Sequence, residues 1–415
     1  MTAPGPYRVA VVDLDEPLGD LGCIRFGGPP YRGAWILACR SGRPLGIAEM
    51  PLLGITISAP ELERELRRQL GPAWSPQSAA APPATAPPGV RLPPVSVVIP
   101  SVLERVDGIR ACLDSVAALD YPDFEVIVVD NRRAGSAPVE LEGVRVVREP
   151  RPGISAARNR GLEAADGEIV AFTDDDVIVD PEWLLAIARR FTREPELAAV
   201  TGLVVPQELE TPAQIWFEQS GSGLDRSFEP LTFERSGRFG LLRRAGESGD
   251  RAVQSLYATG ELGLGSNMAF RTSVLRTSGG FDEALGAGTP THGGEDLAML
   301  MELLTDGHSV AYEPAAIVHH THRRTFAELE RQIRGYGIGF TAMLTAIAVR
   351  DPQHLLGLAL VIPAWLRSLR DPHSAKHEHR DAGYPRTLAR AELRGMLTGP
   401  FAYARSRRAQ RRWSR

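Results

Sequence analysis

Apolar runs of strand length alternate with helix-length segments from Val95 onward, and two of the runs end in acids, which confines this part of the chain to a layered α/β fold. Val95-Ser-Val-Val-Ile99 precedes a helix over residues 106–119, and Phe124 to Val129 is a second strand ending at Asp130. Val144 to Val147 reads as a third strand, followed by a helix over 155–165. Glu168 to Thr173 is a fourth, running straight into Asp174-Asp175-Asp176. A helix over 181–191 then opens with Pro181 in its first turn. Residues 207–262, rich in Gly, Arg and aromatics, read as long loops of the kind that often carry substrate contacts.

Residues 72–94 hold eight prolines and six alanines with Arg91 as their one charge, a composition that cannot bury a core and reads as a linker. Before it, a strand over 7–12, a hairpin around Ser41-Gly42 and a helix over 60–70 make residues 1–71 a small α+β module. Residues 95–325 form the α/β unit. Residues 326–415 read as a helical region with an apolar run from Leu355 to Leu366 and six arginines within 401–415. Such a tail suits contact with anionic lipid headgroups.

Charge and residue usage narrow the chemistry. Lys plus Arg is 47 against 51 for Asp plus Glu, so nothing draws the whole chain to nucleic acid. Its one lysine, Lys376, excludes a P-loop and argues against lysine-nucleophile chemistry. Cys23, Cys39 and Cys112 make neither a metal pair nor a disulfide framework, and no signal segment opens the chain, which points to the cytoplasm. The 12-residue run at 355–366 is too short to span a bilayer, which takes roughly 20 residues. Contact with the inner face of the cell membrane would be peripheral.

Ligands of open α/β sheets bind outside the carboxyl ends of the strands, where Asp130 and Asp174 to Asp176 fall. Three consecutive aspartates repel one another, so a cation such as Mg2+ or Mn2+ would stabilise them; a solvated acidic turn is the alternative. Gly293-Gly294-Glu295-Asp296 opens a helix with an apolar stripe at Leu297, Leu300, Met301 and Leu304. That stripe puts Asp296 on its flank, toward a cleft wall, and Glu295 nearly opposite, in a solvent-side or supporting position. Acids there also simply favour the helix dipole. On the strand running into Val318-His-His-Thr-His322, alternation puts His320 and His322 on one side and His319 on the other; an imidazole there can meet a metal. His292 is a weaker candidate. Trp216, Phe217 and Phe233 suit either core packing or stacking on an acceptor.

In order, Val95-Ser-Val-Val-Ile-Pro100, Val128-Val-Asp-Asn131, Gly153 to Gly161, Phe172-Thr-Asp-Asp-Asp-Val177, Gly279-Gly-Phe-Asp282, Gly294-Glu-Asp-Leu297 and His320-x-His322-Arg323 resemble family-2 glycosyltransferases of the GT-A fold. The resemblance covers about residues 95 to 340. It implies a GT-A-type nucleotide-sugar-binding domain with a mainly parallel mixed sheet, preceded by the α+β module and followed by the helical region. The implied reaction is sugar transfer, with inversion, from a nucleotide diphosphate sugar to an acceptor hydroxyl on a glycan or glycolipid precursor. Carried over by position, Asp296 matches the catalytic base, with Glu295 beside it, while Pro100, Glu104, Asp130, Arg158, Asp174 and Asp175 fall in donor-binding segments. Asp176 matches the metal ligand and His320 a position that in some members completes the metal site, with His322 as the other candidate.

The sequence departs from the family in two places. Ser101-Val-Leu-Glu-Arg105 replaces the usual polar loop after Pro100, leaving Glu104 as its plausible nucleoside contact, and Arg132-Arg133 stand where small residues are common. Those arginines suit phosphate or an acidic acceptor, or simply surface salt bridges. Two rivals remain: a sugar-nucleotide-forming nucleotidyltransferase, which would want a basic Gly-rich loop after the first strand, and a non-catalytic scaffold that binds glycans or partner proteins.

Overall fold

The computed structural model of the 415-residue chain describes residues 4–25, 27–52, 54, 56–75, 91–103, 106–220, 227–236, 241–246, 251–257, 262–368, 380, 383–411 and 413. Residues 76–90 of the linker reading, Glu104 and Lys376 lie outside the described residues.

The N-terminal part comprises β1 (Tyr7–Asp13), β2 (Leu21–Gly22), β3 (Gly33–Arg40), β4 (Arg43–Pro51), β5 (Thr56–Ile57) and α1 (Ala59–Leu70). A sheet in the order β1-β3-β4 lies beside a short β2-β5 ribbon. The β3–β4 hairpin turns at Ser41 and Gly42 with φ of 49° and 72°, the successive positive values a tight two-residue hairpin needs. Leu62, Leu66 and Leu70 line the buried side of α1 and cover one face of this sheet. On the other face Trp35, Leu37 and Cys39 pack against Leu203, Val205 and Ile317 of the large sheet, so β3 is buried along its whole length. The Tyr7 amide donates to the Leu209 carbonyl at 2.8 Å and Arg25 pairs with Glu210 at 3.0 Å, adding polar ties to the same contact.

The larger part opens with β6 (Val95–Ser101), α2 (Val106–Ala117), β7 (Phe124–Asp130), β8 (Arg145–Arg148), α3 (Ile154–Ala164), β9 (Ile169–Phe172) and β10 (Val177–Val179). It continues with α4 (Trp183–Arg193), β11 (Leu197–Pro206), α5 (Pro212–Gln219), β12 (Leu231–Arg235), β13 (Leu241–Gly246) and β14 (Arg251–Ser255). It closes with β15 (Met268–Arg271), α6 (Thr272–Thr277), α7 (Glu295–Thr305), β16 (Ser309–His320), α8 (Phe326–Arg350), α9 (His354–Ser368) and α10 (Arg386–Gln410). The mixed sheet runs β14-β13-β12-β16-β11-β15-β9-β6-β7-β8, with β10 pairing β16. Its β9-β6-β7-β8 half is parallel, which is why β6 is apolar and buried throughout. Two clusters of apolar side chains cover its faces, one including α2 and α4, the other α3 and α7.

Three sequence expectations need correction. Among the described residues of 207–262, most are not loop: α5 forms a helix, the antiparallel strands β12, β13 and β14 extend the sheet, and Leu231 and Phe233 alternate into the core. The helix after the aspartates begins at Trp183, because the Asp180 side chain accepts the Glu182 amide at 2.9 Å and holds Pro181 and Glu182 in a turn. Glu295 is not on a solvent side: α7 is covered on both sides, by the sheet and by α8, so Glu295 is buried with Met299 and Leu303. All three cysteines are free and buried. Among the described residues, no helix is long and apolar enough to cross a membrane.

Candidate active site

Parallel register brings the ends of neighbouring strands to one edge. Ser101 of β6 pairs with Asp130 of β7, and β9 ends one residue before Thr173 and the three aspartates. The Ser101 hydroxyl donates to Asp175 Oδ2 at 2.5 Å, which turns Asp175 back toward β6. Asp174 and Asp176 turn the other way. Together with His320, at the end of β16, they place one carboxylate oxygen each and one ring nitrogen within 4.8 Å of one another. The pairing of Val177 with His320 across β10 and β16 fixes this approach.

His320 is oriented from behind. Its Nε2 is 3.6 Å from Asp176 Oδ1, its Nδ1 is 3.0 Å from Nδ1 of His322, and His322 Nε2 is 2.7 Å from Glu218 Oε1 on α5. With both rings neutral and Glu218 ionised, His322 donates from Nε2 and accepts at Nδ1, so His320 donates from Nδ1. The lone pair on His320 Nε2 then faces an Asp176 oxygen, an arrangement of two acceptors that a cation between them relieves. Two carboxylates and an imidazole suit Mn2+ or a similar divalent ion. His322 is the supporting ring rather than a member of the cluster, and it packs on Phe217 with centroids 4.3 Å apart. Phe233 is wholly buried in the core, His319 lies on the opposite side of β16, where burial pushes its pKa down, and His292 is exposed.

A buried arginine joins this cluster to the start of α7. Arg158 of α3 donates to Glu295 Oε1 at 2.8 Å and to the Gly265 carbonyl at 3.1 Å, and lies 3.4 Å from Asp174 Oδ1. Gly265 in turn donates its amide to Asp296 Oδ2 at 2.8 Å. Asp296 is thus linked through Gly265 and Arg158 to Asp174. Burial raises the pKa of Asp174, Arg158 opposes the shift and Asp176 adds to it. Burial and the neighbouring Asp296 likewise raise that of Glu295, against the pull of Arg158. Gly294 caps α7 in a left-handed conformation, φ 88°, where a side chain would meet the Gly339 carbonyl of α8.

Asp130 is buried, and Arg132 grips it with two 2.8 Å contacts while Arg148, its partner in register on β8, meets the same carboxylate. Burial alone would raise its pKa, but these arginines hold it down at about 2. Pro100 is buried near the end of β6. The sequence reading missed Glu218 and Tyr336. Tyr336 of α8 is 36% exposed, its ring 6.2 Å from Phe217, and partial burial, opposed by the Gln332 hydrogen bond and aided by the nearby Asp296 charge, pushes its phenol up to about 12.

Residues 96–247 match the family model for glycosyl transferase family 2. The chain carries a family-2 glycosyltransferase domain. The mixed sheet of this glycosyltransferase domain, with an acidic loop at the end of β9, is of the GT-A kind. A pre-mycofactocin glycosyltransferase from Mycobacterium tuberculosis is 30% identical over 285 residues, which cover 66% of this chain and 52% of the relative. A glucosyl-dolichyl phosphate glucuronosyltransferase from Haloferax volcanii is 28% identical over 200 residues, 46% of this chain and 57% of the relative. The chain spans about half the length of these curated relatives. A solved mannosyltransferase from Pyrobaculum calidifontis, in complex with GDP-Man and Mn2+, aligns with TM-score 0.47 and 17% identity over 75% of this chain and 88% of its own.

Proposed function

We propose that the protein transfers a sugar from a nucleoside diphosphate sugar to a hydroxyl of a glycan or lipid-linked acceptor, with inversion at the anomeric carbon. The observation that supports this reading is the cluster of Asp174, Asp176 and His320, linked to Asp296 through Arg158 and Gly265. Glycosyltransfer is also what the relatives' names describe.

In this reading Asp174, Asp176 and His320 hold a divalent ion, and Glu218 and His322 keep the ligand nitrogen of His320 bare. When bound, that ion supplies positive charge against the diphosphate. Asp296, aimed by the Gly265 amide, takes the proton of the acceptor hydroxyl. The acceptor oxygen bonds to the anomeric carbon as its bond to the phosphate oxygen breaks, and the nucleoside diphosphate leaves with the electron pair. Proton transfer of this kind contributes about 10² to 10⁴-fold. Glu295 keeps Arg158 in place. Asp130 serves the donor side as part of an Arg132–Asp130–Arg148 group rather than as a bare carboxylate. Residues 95–325 are the transfer domain, residues 1–71 an accessory module and residues 326–415 a helical C-terminal region.

Nucleotide release and thermal shift, measured over a panel of nucleotide sugars with Mn2+ or Mg2+, test this. Metal-dependent release in the presence of an acceptor is the expected result. Binding without release in every acceptor mixture would favour a scaffold, and pyrophosphate production from a nucleoside triphosphate and a sugar phosphate would favour a nucleotidyltransferase.

A further inference from the structure

Helix α10 is held on one side and left uncovered on the other. Its buried side is built from small residues: Gly395 lies against the backbone of Arg334 and Ile338, Gly399 against Ile338 and Thr341, and Gly337 of α8 against Glu392. Tyr403 fixes the same side to the domain through a 2.8 Å hydrogen bond to Asp282. At about 100° per residue, Leu397 points roughly 200° away from Gly395 and Gly399, and Leu393 and Phe401 lie one turn to either side of it. These three side chains are 49%, 70% and 78% exposed for Leu393, Leu397 and Phe401, far more than internal packing would leave.

Their neighbours decide what would cover them. Arg390 and Arg394 lie beside Leu393, and Arg405 and Arg408 follow Phe401 on the same face, all exposed. From Leu393 to Gln410 the helix has no acid, and Glu392 is directed toward the opposite side. An apolar centre bordered by arginines at both ends complements a surface with a hydrocarbon interior and anionic headgroups. Helix α9 adds a second uncovered apolar set, with Leu355, Leu356 and Leu360 each more than half exposed while Leu358 and Val361 face the core.

We infer that the outer face of α10 is a docking surface for an anionic lipid bilayer, with Leu393, Leu397 and Phe401 entering the interface and the flanking arginines meeting phosphates. This goes beyond the transfer reaction and does not depend on it. A bilayer with no net charge would use only the apolar part of this face; each arginine near an anionic surface is worth roughly fivefold in partition.

The test is co-sedimentation of the full chain with phosphatidylcholine vesicles and with vesicles in which a third of the lipid is phosphatidylglycerol. Binding to the anionic vesicles that weakens at high salt is expected. It should fall at least tenfold in Leu397→Glu/Phe401→Glu and about 30-fold in Arg405→Gln/Arg408→Gln, with unchanged thermal unfolding in both, since all four side chains are exposed. Equal pelleting with both vesicle types, or undiminished pelleting of both variants, overturns the inference. Self-association in analytical ultracentrifugation that Phe401→Glu abolishes, without vesicle binding, would assign the face to a second copy of the chain instead.

Discussion

His320 and His322 face each other Nδ1 to Nδ1 at 3.0 Å, and Glu218 closes the chain behind them at 2.7 Å. With both rings neutral this arrangement leaves Nε2 of His320 bare, so on the proposed reading Glu218 would affect cation binding without belonging to the cluster. Supporting partners of this kind typically change metal affinity about 10 to 100-fold. Glu218→Ala should weaken Mn2+ binding within that range, and Glu218→Asp should restore part of it. Mn2+ titration followed by electron paramagnetic resonance reads this without reference to turnover; unchanged affinity in Glu218→Ala would dissociate Glu218 from the site.

Gly265 lies where a methyl group would be 2.8 Å from Asp296 Oδ2 and 2.9 Å from an Arg158 nitrogen. Gly265→Ala must move one of them. Because a displacement of about 1 Å costs on the order of 10²-fold in rate, kcat should fall by that order while donor affinity changes by only a few fold. Steady-state kinetics and equilibrium donor binding, measured on the same preparation, separate the two effects.

Arg158 is 1% exposed and offsets both Glu295 and Asp174. Arg158→Met leaves two carboxylates without their cation, which should cost about 3–5 kcal/mol of stability. Denaturant unfolding checks this, and part of the loss should return at acid pH as those carboxyls take up protons. The raised pKa values of Glu295 and Asp174 give the same sign.

Asp130 has its pKa lowered from 3.8 to about 2. A depressed carboxylate stabilises the fold above its unfolded pKa, and that contribution disappears as pH falls from about 4 to about 2. Acid unfolding of the wild type should therefore be steeper across that window than that of Asp130→Asn, which should be less stable at pH 7. Superimposable acid-unfolding curves would contradict the Arg132–Asp130–Arg148 arrangement.

Legibility followed sequence locality. The apolar run of β6 and the acids after β7 and β9 depend on the parallel sheet itself, so their pattern exposed both the fold and the carboxylates. His320 and His322 were legible as neighbours on one side of a strand, but only the position of Glu218 on α5 separates their roles. Strands β12 and β13 were hidden because Arg and Glu interrupt their apolar positions, so short alternations such as Leu231 and Phe233 resembled loop. The apolar stripe of α7 does not reveal that Glu295 is buried in the supporting position beside Arg158 rather than on the solvent side, because the helix is covered on two sides. Arg132 reads as surface in isolation; Arg148 reaches the same acid through sheet register, which no local pattern reveals.

The central claim is that Asp296 removes the acceptor proton in a cleft that binds the activated donor by other groups. Asp296→Asn should bind the preferred nucleotide sugar and metal within a few fold of wild type while transfer falls by about 10² to 10⁴-fold. Transfer at the wild-type rate by Asp296→Asn would contradict it.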